Sequence, residues 1–285
     1  MAQSKQQIQA ILSAANTRPR HRFGQNFMID QNLVRLIAEA GQVGPDDLVI
    51  EVGPGTGTLT EELLSRGARV LAVEIDRDLA AALRGRYAQN DRFDLIEGDA
   101  LAGKHELNPA LLDRVSSDPR RTKLVANLPY NIASPLVIEL LLAGIGLLAF
   151  TVQKEVADRL RAPAGSDDYG PLSVMAQLLG TVELLRVLPP QAFWPAPKVD
   201  SALVRVTATR RGERQVGRFV HAVFSYRRKT LRKALELAGY DAEAILSVTG
   251  FDGARRPEQF TPVEYAAMFL ATAPPRAAPG EGRRR

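Results

Sequence analysis

Cysteine is absent from this 285-residue chain, and histidine occurs only three times. Without thiols the chain can form no disulfide, no thiolate metal site and no cysteine nucleophile. The three histidines, His21, His105 and His221, are far apart in the sequence, so we expect no catalytic metal site. Any catalysis then has to come from carboxylates, carboxamides, backbone groups or a bound cofactor.

The chain also lacks an apolar run of the length that crosses a membrane, about 20 residues. Its most apolar stretch, 135–152, contains Glu139 and glycines and therefore predicts a buried helix followed by a strand. The N-terminus is polar and lacks the apolar segment of a signal peptide. We therefore expect a cytoplasmic protein with no membrane association.

Acidic residues are outnumbered, which gives a net charge of +5 and a pI of about 9.6. This balance weakly favours a polyanionic partner. Within 205–233 there are ten Lys or Arg residues against one acid, Glu213. Such a run is equally typical of a solvated protein face, so charge alone leaves both interpretations open.

Short apolar runs alternate with helical patterns such as 59–65 and 79–87 through the first two thirds of the chain. This alternation is the rhythm of βαβ units, and continuous apolar runs are typical of parallel strands covered on both faces. The predicted strands are 48–52, 69–75, 93–97, 123–127, 147–153, 182–188 and 202–207. The pattern predicts an α/β fold with a seven-stranded, mostly parallel sheet and an antiparallel pair at one edge.

Beyond residue 207 the pattern is helical, with predicted helices at 217–239, 242–250 and 262–271. In the first of these, Leu231, Ala234 and Leu235 share one face and cations cover much of the rest. We predict a flexible N-terminal segment (1–20), a catalytic domain (21–207), a small helical domain with a basic face (208–272) and a disordered tail (273–285).

The first predicted strand leads into the glycine-rich segment Glu51-Val-Gly53-Pro-Gly55-Thr-Gly57. Glycines let the backbone pass close to a ligand, and the following helix N-terminus can receive an anion. Glu74 ends the second strand, where a carboxylate can accept hydrogen bonds from both hydroxyls of a ribose. A nucleoside cofactor is therefore favoured over an ordinary tight turn.

The spacing of these glycines distinguishes between two candidate cofactors, NAD and S-adenosylmethionine. Dinucleotide sites carry G-x-G-x-x-G, whereas this chain has G-x-G-x-G with Glu51 two residues before the first glycine. Asp99, just after the third strand, is placed to accept a hydrogen bond from an adenine amine, although a helix N-cap explains it equally well. The pattern favours S-adenosylmethionine over NAD.

The segment Asn127-Leu128-Pro129-Tyr130 combines a carboxamide, a proline and an aromatic ring after the fourth strand. The amine of adenine is a poor nucleophile because its lone pair is delocalised into the ring. An Asn oxygen and a main-chain carbonyl that accept its two hydrogens would return the lone pair to nitrogen. The proline fixes the backbone, and the tyrosine offers a face to a flipped-out base. In isolation, the four residues are also typical of a strand that ends in a turn.

Eight motifs in register carry a family resemblance. They are Arg22–Phe27, Glu51–Gly57, Glu74, Gly98–Ala100, Asn127–Asn131, Gln153–Val156, Tyr169–Gln177 and Phe193–Ser201. In this order they closely resemble the bacterial small-subunit ribosomal RNA adenine N6-dimethyltransferases, the kasugamycin-sensitivity enzymes, over about residues 20–235. The resemblance implies a Rossmann-like S-adenosylmethionine-dependent methyltransferase fold. It also implies methyl transfer to the N6 amines of two adjacent adenosines in a hairpin loop near the 3′ end of small-subunit rRNA, within ribosome biogenesis.

The resemblance further implies roles for individual residues. Those expected at the cofactor are Asn26, Met28, Gly53, Gly55, Glu74, Asp99, Ala100 and Asn127. Those expected in catalysis are Asn127, Leu128, Pro129, Tyr130 and Phe193, with the Phe193 ring stacked on the target base opposite Tyr130. Met28 stands where the family usually has leucine, a change that a backbone contact would tolerate.

The expected partner is small-subunit rRNA or a small-subunit precursor, bound by a monomer. The residues expected to hold RNA phosphates are Arg22, Arg227, Arg228, Lys229, Arg232 and Lys233. Arg20 and His21 would extend this positive surface.

Three alternatives stay open at this point. A large-subunit rRNA adenine methyltransferase of the macrolide-resistance type shares the cofactor and catalytic motifs, although 169–177 and 198–201 favour the small-subunit enzymes. A mainly non-catalytic assembly factor for the small subunit is the second, and the intact Asn127–Tyr130 segment favours retained chemistry. An NAD dehydrogenase is the third, and it fails on glycine spacing and lacks an obvious hydride-transfer pair.

Overall fold

The computed structural model describes residues 3–103, 106–118 and 121–272. Its strands are β1 (Phe27–Met28), β2 (Leu48–Val52), β3 (Arg69–Glu74), β4 (Phe93–Glu97), β5 (Leu101–Gly103), β6 (Glu106–Leu107), β7 (Thr122–Asn127), β8 (Leu147–Gln153), β9 (Gly180–Leu188), β10 (Phe193–Trp194) and β11 (Ser201–Ala208). Its α-helices are α1 (Lys5–Ala14), α2 (Gln31–Ala40), α3 (Thr58–Ser65), α4 (Arg77–Arg86), α5 (Pro109–Ser117), α6 (Ala133–Leu142), α7 (Lys154–Arg161), α8 (Pro171–Leu179), α9 (Arg214–Phe224), α10 (Leu231–Leu237), α11 (Ala242–Thr249) and α12 (Pro262–Leu270). Single 3₁₀ turns occur at His21–Phe23, Pro190–Ala192 and Pro257–Gln259.

Seven strands form one sheet in the order β4-β3-β2-β7-β8-β11-β9. The five from β4 to β8 run parallel, and β11 is antiparallel to both of its neighbours. The predicted α/β fold is therefore confirmed, with the reversed strand lying next to the edge strand. The central strands are apolar because helices cover both faces, and Val49, Ile50, Leu71 and Phe150 are fully buried.

The strand order reverses direction between β2 and β7. Helical crossovers lead from β2 outward to β3 and β4, and the chain then returns to the other side of β2 to form β7. In open α/β sheets such a switch point leaves a crevice outside the carboxyl ends of the strands, where ligands bind. The loops that follow β2 and β7 carry the glycine-rich segment and Asn127–Tyr130, so the topology brings the two motifs together.

Within the N-terminal segment that was predicted to be flexible (1–20), residues Lys5–Ala14 form the helix α1. Ser4 and Gln7 form a capping box at the start of α1, with Ser4 Oγ accepting from the Gln7 N–H at 3.3 Å and Gln7 Oε1 accepting from the Ser4 N–H at 2.7 Å. Ile8 and Leu12 are buried in a small cluster with Phe27. The burial of these apolar side chains fixes the helix, and the S-x-x-Q spacing was a readable signal for it.

The described chain divides into two compact units whose boundary differs from the prediction. The first contains the sheet and comprises residues up to 161 together with 179–212, and the second comprises 162–178 and residues from 213 on. Residues 162–178, predicted within the catalytic domain, belong with the C-terminal helices because α8 and its preceding loop pack there. Tyr169, for example, donates from its hydroxyl to the Phe260 carbonyl at 2.8 Å. The predicted disordered tail lies outside the described residues.

The helix predicted over 217–239 is two helices, α9 and α10, separated by a turn. Thr230 caps α10 by accepting a 3.4 Å hydrogen bond from the Lys233 N–H, which ends any continuous helix before it. Leu231, Ala234 and Leu235 are buried on one face as predicted. The break places Arg227, Arg228 and Lys229 in the exposed turn before α10 rather than on a helix face.

Candidate active site

A cavity lies at the carboxyl ends of β2, β3, β4 and β7. All eight residues expected at a cofactor line it: Asn26, Met28, Gly53, Gly55, Glu74, Asp99, Ala100 and Asn127. The structure thus gathers residues that are as far as 101 positions apart in the sequence.

The glycine-rich loop is packed so tightly that side chains would not fit. Gly53 has φ +72°, and a Cβ built on it would lie 3.2 Å from Cγ of Pro129. Gly55 has φ +60°, and its Cβ would lie 2.9 Å from Cε1 of Phe27. Both positive φ values favour glycine, and a side chain at Gly55 would in addition have to displace the Phe27 ring. The glycine-rich loop therefore lies between the N-terminal segment, which carries Phe27, and the loop after β7, which carries Pro129. Together the three segments form one wall of the cavity.

Two buried carboxyl groups stand behind this loop. Glu74 accepts hydrogen bonds from the backbone N–H groups of Gly55 at 3.1 Å and Asp76 at 2.9 Å. Burial raises the pKa of Glu74 to about 7, although these two hydrogen bonds partly oppose the shift. A carboxyl group has four lone-pair positions, so Glu74 can still bind a ligand's hydroxyls.

Glu51 is the second of these carboxyl groups, and it lies at the base of the cavity. Burial raises its pKa to about 8; a 2.6 Å hydrogen bond from the Thr60 hydroxyl opposes the shift, and the nearby charge of Glu74 adds to it. The site therefore holds a proton near neutral pH that free carboxylates would have lost.

Asp99 lies at the exposed rim of the cavity. Its Oδ1 accepts from the Leu101 N–H at 3.0 Å, and its carbonyl accepts from Nδ2 of Asn108 at 2.9 Å. Because β5 rather than a helix follows it, the N-cap interpretation of Asp99 is wrong. The two bonds fix the turn so that the carboxylate faces the cavity rim.

Asn127, the last residue of β7, has its carboxamide held from both sides. Its Nδ2 donates to the Asn26 carbonyl at 2.8 Å, and its Oδ1 accepts from the Thr151 hydroxyl. The Asn26 carbonyl can only accept, so it determines which end of the amide is nitrogen. The oxygen keeps a second lone pair for another donor.

The next three residues differ in what they offer. The Pro129 carbonyl already accepts from the Ile132 N–H at 3.2 Å, whereas the Leu128 carbonyl accepts no hydrogen bond from the described residues. Leu128 itself has a buried side chain. The Tyr130 hydroxyl lies 2.6 Å from Oγ of Ser201, and burial raises the pKa of Tyr130, so its phenol stays protonated at neutral pH.

Phe193, the residue expected to stack on the target base, has a buried ring. It pairs with Met28 in the two-stranded β1–β10 sheet, is 2% exposed, and belongs to the core cluster. The ring is buried against apolar side chains in this structure, and its expected stacking on a base opposite Tyr130 stays a prediction.

Arg20 holds the N-terminal segment to the sheet instead of extending a positive surface. Its guanidinium pairs with Asp76 at 2.9 Å and with Asp78, and Gln25 donates to Asp76 at 3.0 Å. Arg22 by contrast is exposed, with its guanidinium 4.6 Å from the centre of the Phe23 ring. The sequence did not predict these ion pairs. It also did not predict the hydrogen bonds of the Thr151 and Ser201 hydroxyls. All of these contacts join segments that only the fold brings together.

In the second unit, all five cations expected on α10 and its preceding turn are exposed. Arg232 pairs with Glu243 and Lys233 with Glu236. Arg227, Arg228 and Lys229 form no ion pair with any residue in the described ranges. These three cations are therefore available to another partner.

The part of the chain that the structure describes contains no group of three or more His, Asp or Glu placed to hold a metal ion. None of its helices is both long enough and apolar enough to cross a membrane.

Comparison with known proteins places this site in a family. Residues 16–271 match the family described as "Ribosomal RNA adenine dimethylase". "Ribosomal RNA small subunit methyltransferase A" of Pseudomonas syringae pv. syringae is 42% identical over 85% of this chain and 90% of its own length. Among solved structures, a dimethyladenosine transferase from Plasmodium falciparum covers 86% of this chain and 96% of its own, with a TM-score of 0.67 at 21% identity. The 23S rRNA methyltransferase ErmE covers 87% and 99%, with a TM-score of 0.61 at 28% identity. With a family match over most of its length and a relative above 40% identity, the chain belongs to the ribosomal RNA adenine dimethylase family.

Proposed function

We propose that this protein transfers methyl groups from S-adenosylmethionine to the N6 amines of two adjacent adenosines in a 3′-terminal hairpin loop of small-subunit rRNA. It thereby acts in ribosome biogenesis in the bacterial cytoplasm, as a monomer. The observation that carries the proposal is the position of Asn127: its fixed carboxamide lines the same cavity as Glu74 and the glycine-rich loop. Membership of the family and the 42% identical small-subunit relative support the choice of substrate.

The cavity suits a nucleoside cofactor on three grounds. Gly53 and Gly55 allow close approach to the backbone, Glu74 retains lone pairs for ribose hydroxyls, and Asp99 places a carboxylate at the rim for an adenine amine. Asn26, Met28 and Ala100 complete the lining. When bound, S-adenosylmethionine supplies a methyl group already activated by its sulfonium.

Asn127 activates the incoming amine in this proposal. Its Oδ1 accepts one hydrogen of the adenine amine with the lone pair that Thr151 leaves unused. A main-chain carbonyl accepts the other, and the Leu128 carbonyl suits this better because that of Pro129 is engaged with Ile132. Together they localise the lone pair on nitrogen. No strong base is needed, since the proton can leave to water after transfer, and positioning supplies most of the rate.

The exposed cations of the second unit bind RNA phosphates in this proposal. Arg227, Arg228 and Lys229 are unpaired within the described chain, so no internal ion pair has to break when phosphates bind. Arg232, Lys233 and Arg22 contribute further positive charge. Bases in RNA loops can be splayed out of the stack, which suits an enzyme that works on an extruded base.

Parallel methyl-transfer assays decide between the two rRNA substrates. We expect labelled methyl groups to appear on purified small-subunit particles that lack them, and no transfer to large-subunit RNA. Transfer to the large-subunit RNA alone would overturn the proposal in favour of the macrolide-resistance type of activity. Tight particle binding with no transfer to either RNA would instead favour a non-catalytic assembly factor.

A further inference from the structure

The loop that carries Asn127 is tied to the sheet at its other end through Tyr130. The phenol oxygen lies 2.6 Å from Oγ of Ser201, which is the first residue of β11 and fully buried. In the sheet, β8 lies between β7 and β11, and Ser201 pairs with Gln153 at the end of β8. The tyrosine side chain therefore crosses the carboxyl end of β8 to reach its partner.

This hydrogen bond restricts the tyrosine ring more than packing alone would. Tyr130 is half-buried, so one part of the ring is free of core contacts. A hydroxyl anchored at the far end of the ring fixes both side-chain torsions at once. Ser201 has no solvent contact, so its hydroxyl has the phenol rather than water as a partner.

Two other aromatic side chains of the same unit are already engaged. Phe193 is buried in the core, and Trp194 stacks on Phe27 with ring centres 6.4 Å apart. Tyr130 is the aromatic residue within the Asn127–Tyr130 loop itself, two positions from the Leu128 carbonyl. The angle of this one ring therefore sets where a stacked base would place its amine relative to Asn127.

We propose that Ser201 is a positioning residue for methyl transfer: its hydroxyl fixes the Tyr130 ring, and the ring aligns the extruded adenine with the Asn127 carboxamide. This rests on the proposed function, in which Tyr130 stacks on the target base. Ser201 is not among the residues that line the cofactor cavity.

A double-mutant cycle on this hydrogen bond tests the proposal. Ser201→Ala and Tyr130→Phe each remove the bond while keeping the core filled and the ring present. We expect each to lower kcat by about three- to tenfold, the size of one lost hydrogen bond. The double variant should fall no further than either single variant. The dissociation constant for S-adenosylmethionine and the KM for small-subunit particles should stay within about twofold, since neither involves the bond directly.

A second readout follows the base without chemistry. With 2-aminopurine at the target adenosine of a loop RNA, binding to the parent should extrude the base and let Tyr130 quench it. Bound RNA should fluoresce more brightly with Ser201→Ala and with Tyr130→Phe, because the ring is less well aligned. If Ser201→Ala does not fold, Tyr130→Phe alone still provides the test, since it removes only the hydroxyl of a half-buried side chain.

Additive losses in the double variant, or an unchanged kcat in Tyr130→Phe, would overturn the proposal. A weakened affinity of Ser201→Ala for S-adenosylmethionine would do the same, because it would indicate a structural role. Failure of the proposed function is distinguishable: Asn127→Ala would then keep its methyl-transfer activity, whereas failure of this inference alone leaves Asn127→Ala inactive and Ser201→Ala fully active.

Discussion

The cofactor cavity of the first unit and the cationic turn of the second differ in how their functional groups are held. In the cavity, Asn127, Glu74 and Glu51 are each fixed by hydrogen bonds, and both glutamates are buried. In the second unit, Arg227, Arg228 and Lys229 are exposed and unpaired within the described chain. The first region works by geometry and the second by charge. Single changes in the cavity should therefore have large effects on turnover, whereas changes in the cationic turn should be small, cumulative and dependent on salt.

Asn127→Ala gives the largest expected effect. It removes the oxygen that accepts from the adenine amine, and we expect kcat to fall by about 10²- to 10³-fold, as when one preorganised polar group is lost from a catalytic site. Particle binding should be retained, because the cations are untouched. Single-turnover methyl transfer and sedimentation with small-subunit particles measure the two properties. Asn32→Ala, at an exposed position on α2, is the matched control and should be as active as the parent. Unchanged turnover in Asn127→Ala would refute the assigned role.

Glu51 should give the cavity an unusual dependence of stability on pH. Its folded pKa of about 8 exceeds the ordinary 4.5, so the folded state holds its proton more tightly than the unfolded state between these values. The free energy of unfolding of the cofactor-free protein should therefore fall as pH rises from about 5 to 8, by on the order of a few kcal/mol from this group.

Glu51→Gln removes this titration and should make the decline less steep, leaving the part that the raised pKa of Glu74 contributes. Urea unfolding, followed by the fluorescence of the single tryptophan, Trp194, reports on the unit that contains the site. Parallel curves for parent and variant across pH 5 to 8 would show that Glu51 does not hold its proton in the folded protein.

In the cationic turn, we expect a moderate effect from replacing Arg227, Arg228 and Lys229 together by Gln. For each cation that no longer neutralises a phosphate, the slope of log affinity against log salt should become shallower by about 0.7 to 0.9. At saturating RNA, kcat should be unchanged, because the cavity is intact. The control replaces Arg227 and Arg228 by Lys and keeps the charge, so its salt slope should match that of the parent. A lower kcat at saturation with an unaltered slope would contradict the division between geometry and charge.

Thr151→Val gives the smallest expected effect within the cavity. It removes the hydroxyl that donates to Asn127 Oδ1, but the Asn26 carbonyl still orients the amide from the other side. We expect kcat to fall by no more than about tenfold, the value of one ordinary hydrogen bond. Steady-state kinetics beside Asn127→Ala make the comparison. A loss as large as that of Asn127→Ala would mean that Thr151, rather than Asn26, determines the amide orientation.

The comparison between the two regions also shows what the sequence could and could not predict. The seven strands of the main sheet, the glycine-rich loop and Glu74 were predictable because each depends on local periodicity or spacing. Asn127 and Glu74 could be paired in advance because parallel strands end at the same edge of a sheet. The C-terminal region was correctly predicted as helical. The break within 217–239 was not predicted, because the Thr230 cap lies within an otherwise helical pattern.

The remaining features depend on tertiary contacts. Three hydrogen-bonded pairs join segments that are distant in the chain: Asn127–Thr151, Tyr130–Ser201 and Arg20–Asp76. The burial of Phe193 likewise depends on the fold. No local pattern encodes such partners, and an aromatic residue in a proline-rich stretch is equally consistent with a core position and an exposed platform. The helix at 5–14 differs from these pairs, because its signal, the Ser4–Gln7 spacing of a capping box, is local in the sequence.

The central claim is that the protein methylates the exocyclic amine of adenine in small-subunit rRNA, with Asn127 and its loop binding that amine. Nucleoside mass spectrometry of small-subunit particles, after incubation with the protein and isotopically labelled S-adenosylmethionine, tests it most directly. We predict labelled N6,N6-dimethyladenosine at two adjacent positions near the 3′ end of the RNA, and none with Asn127→Ala. Label on a ring nitrogen or on another base, or an RNA without label, would contradict the claim.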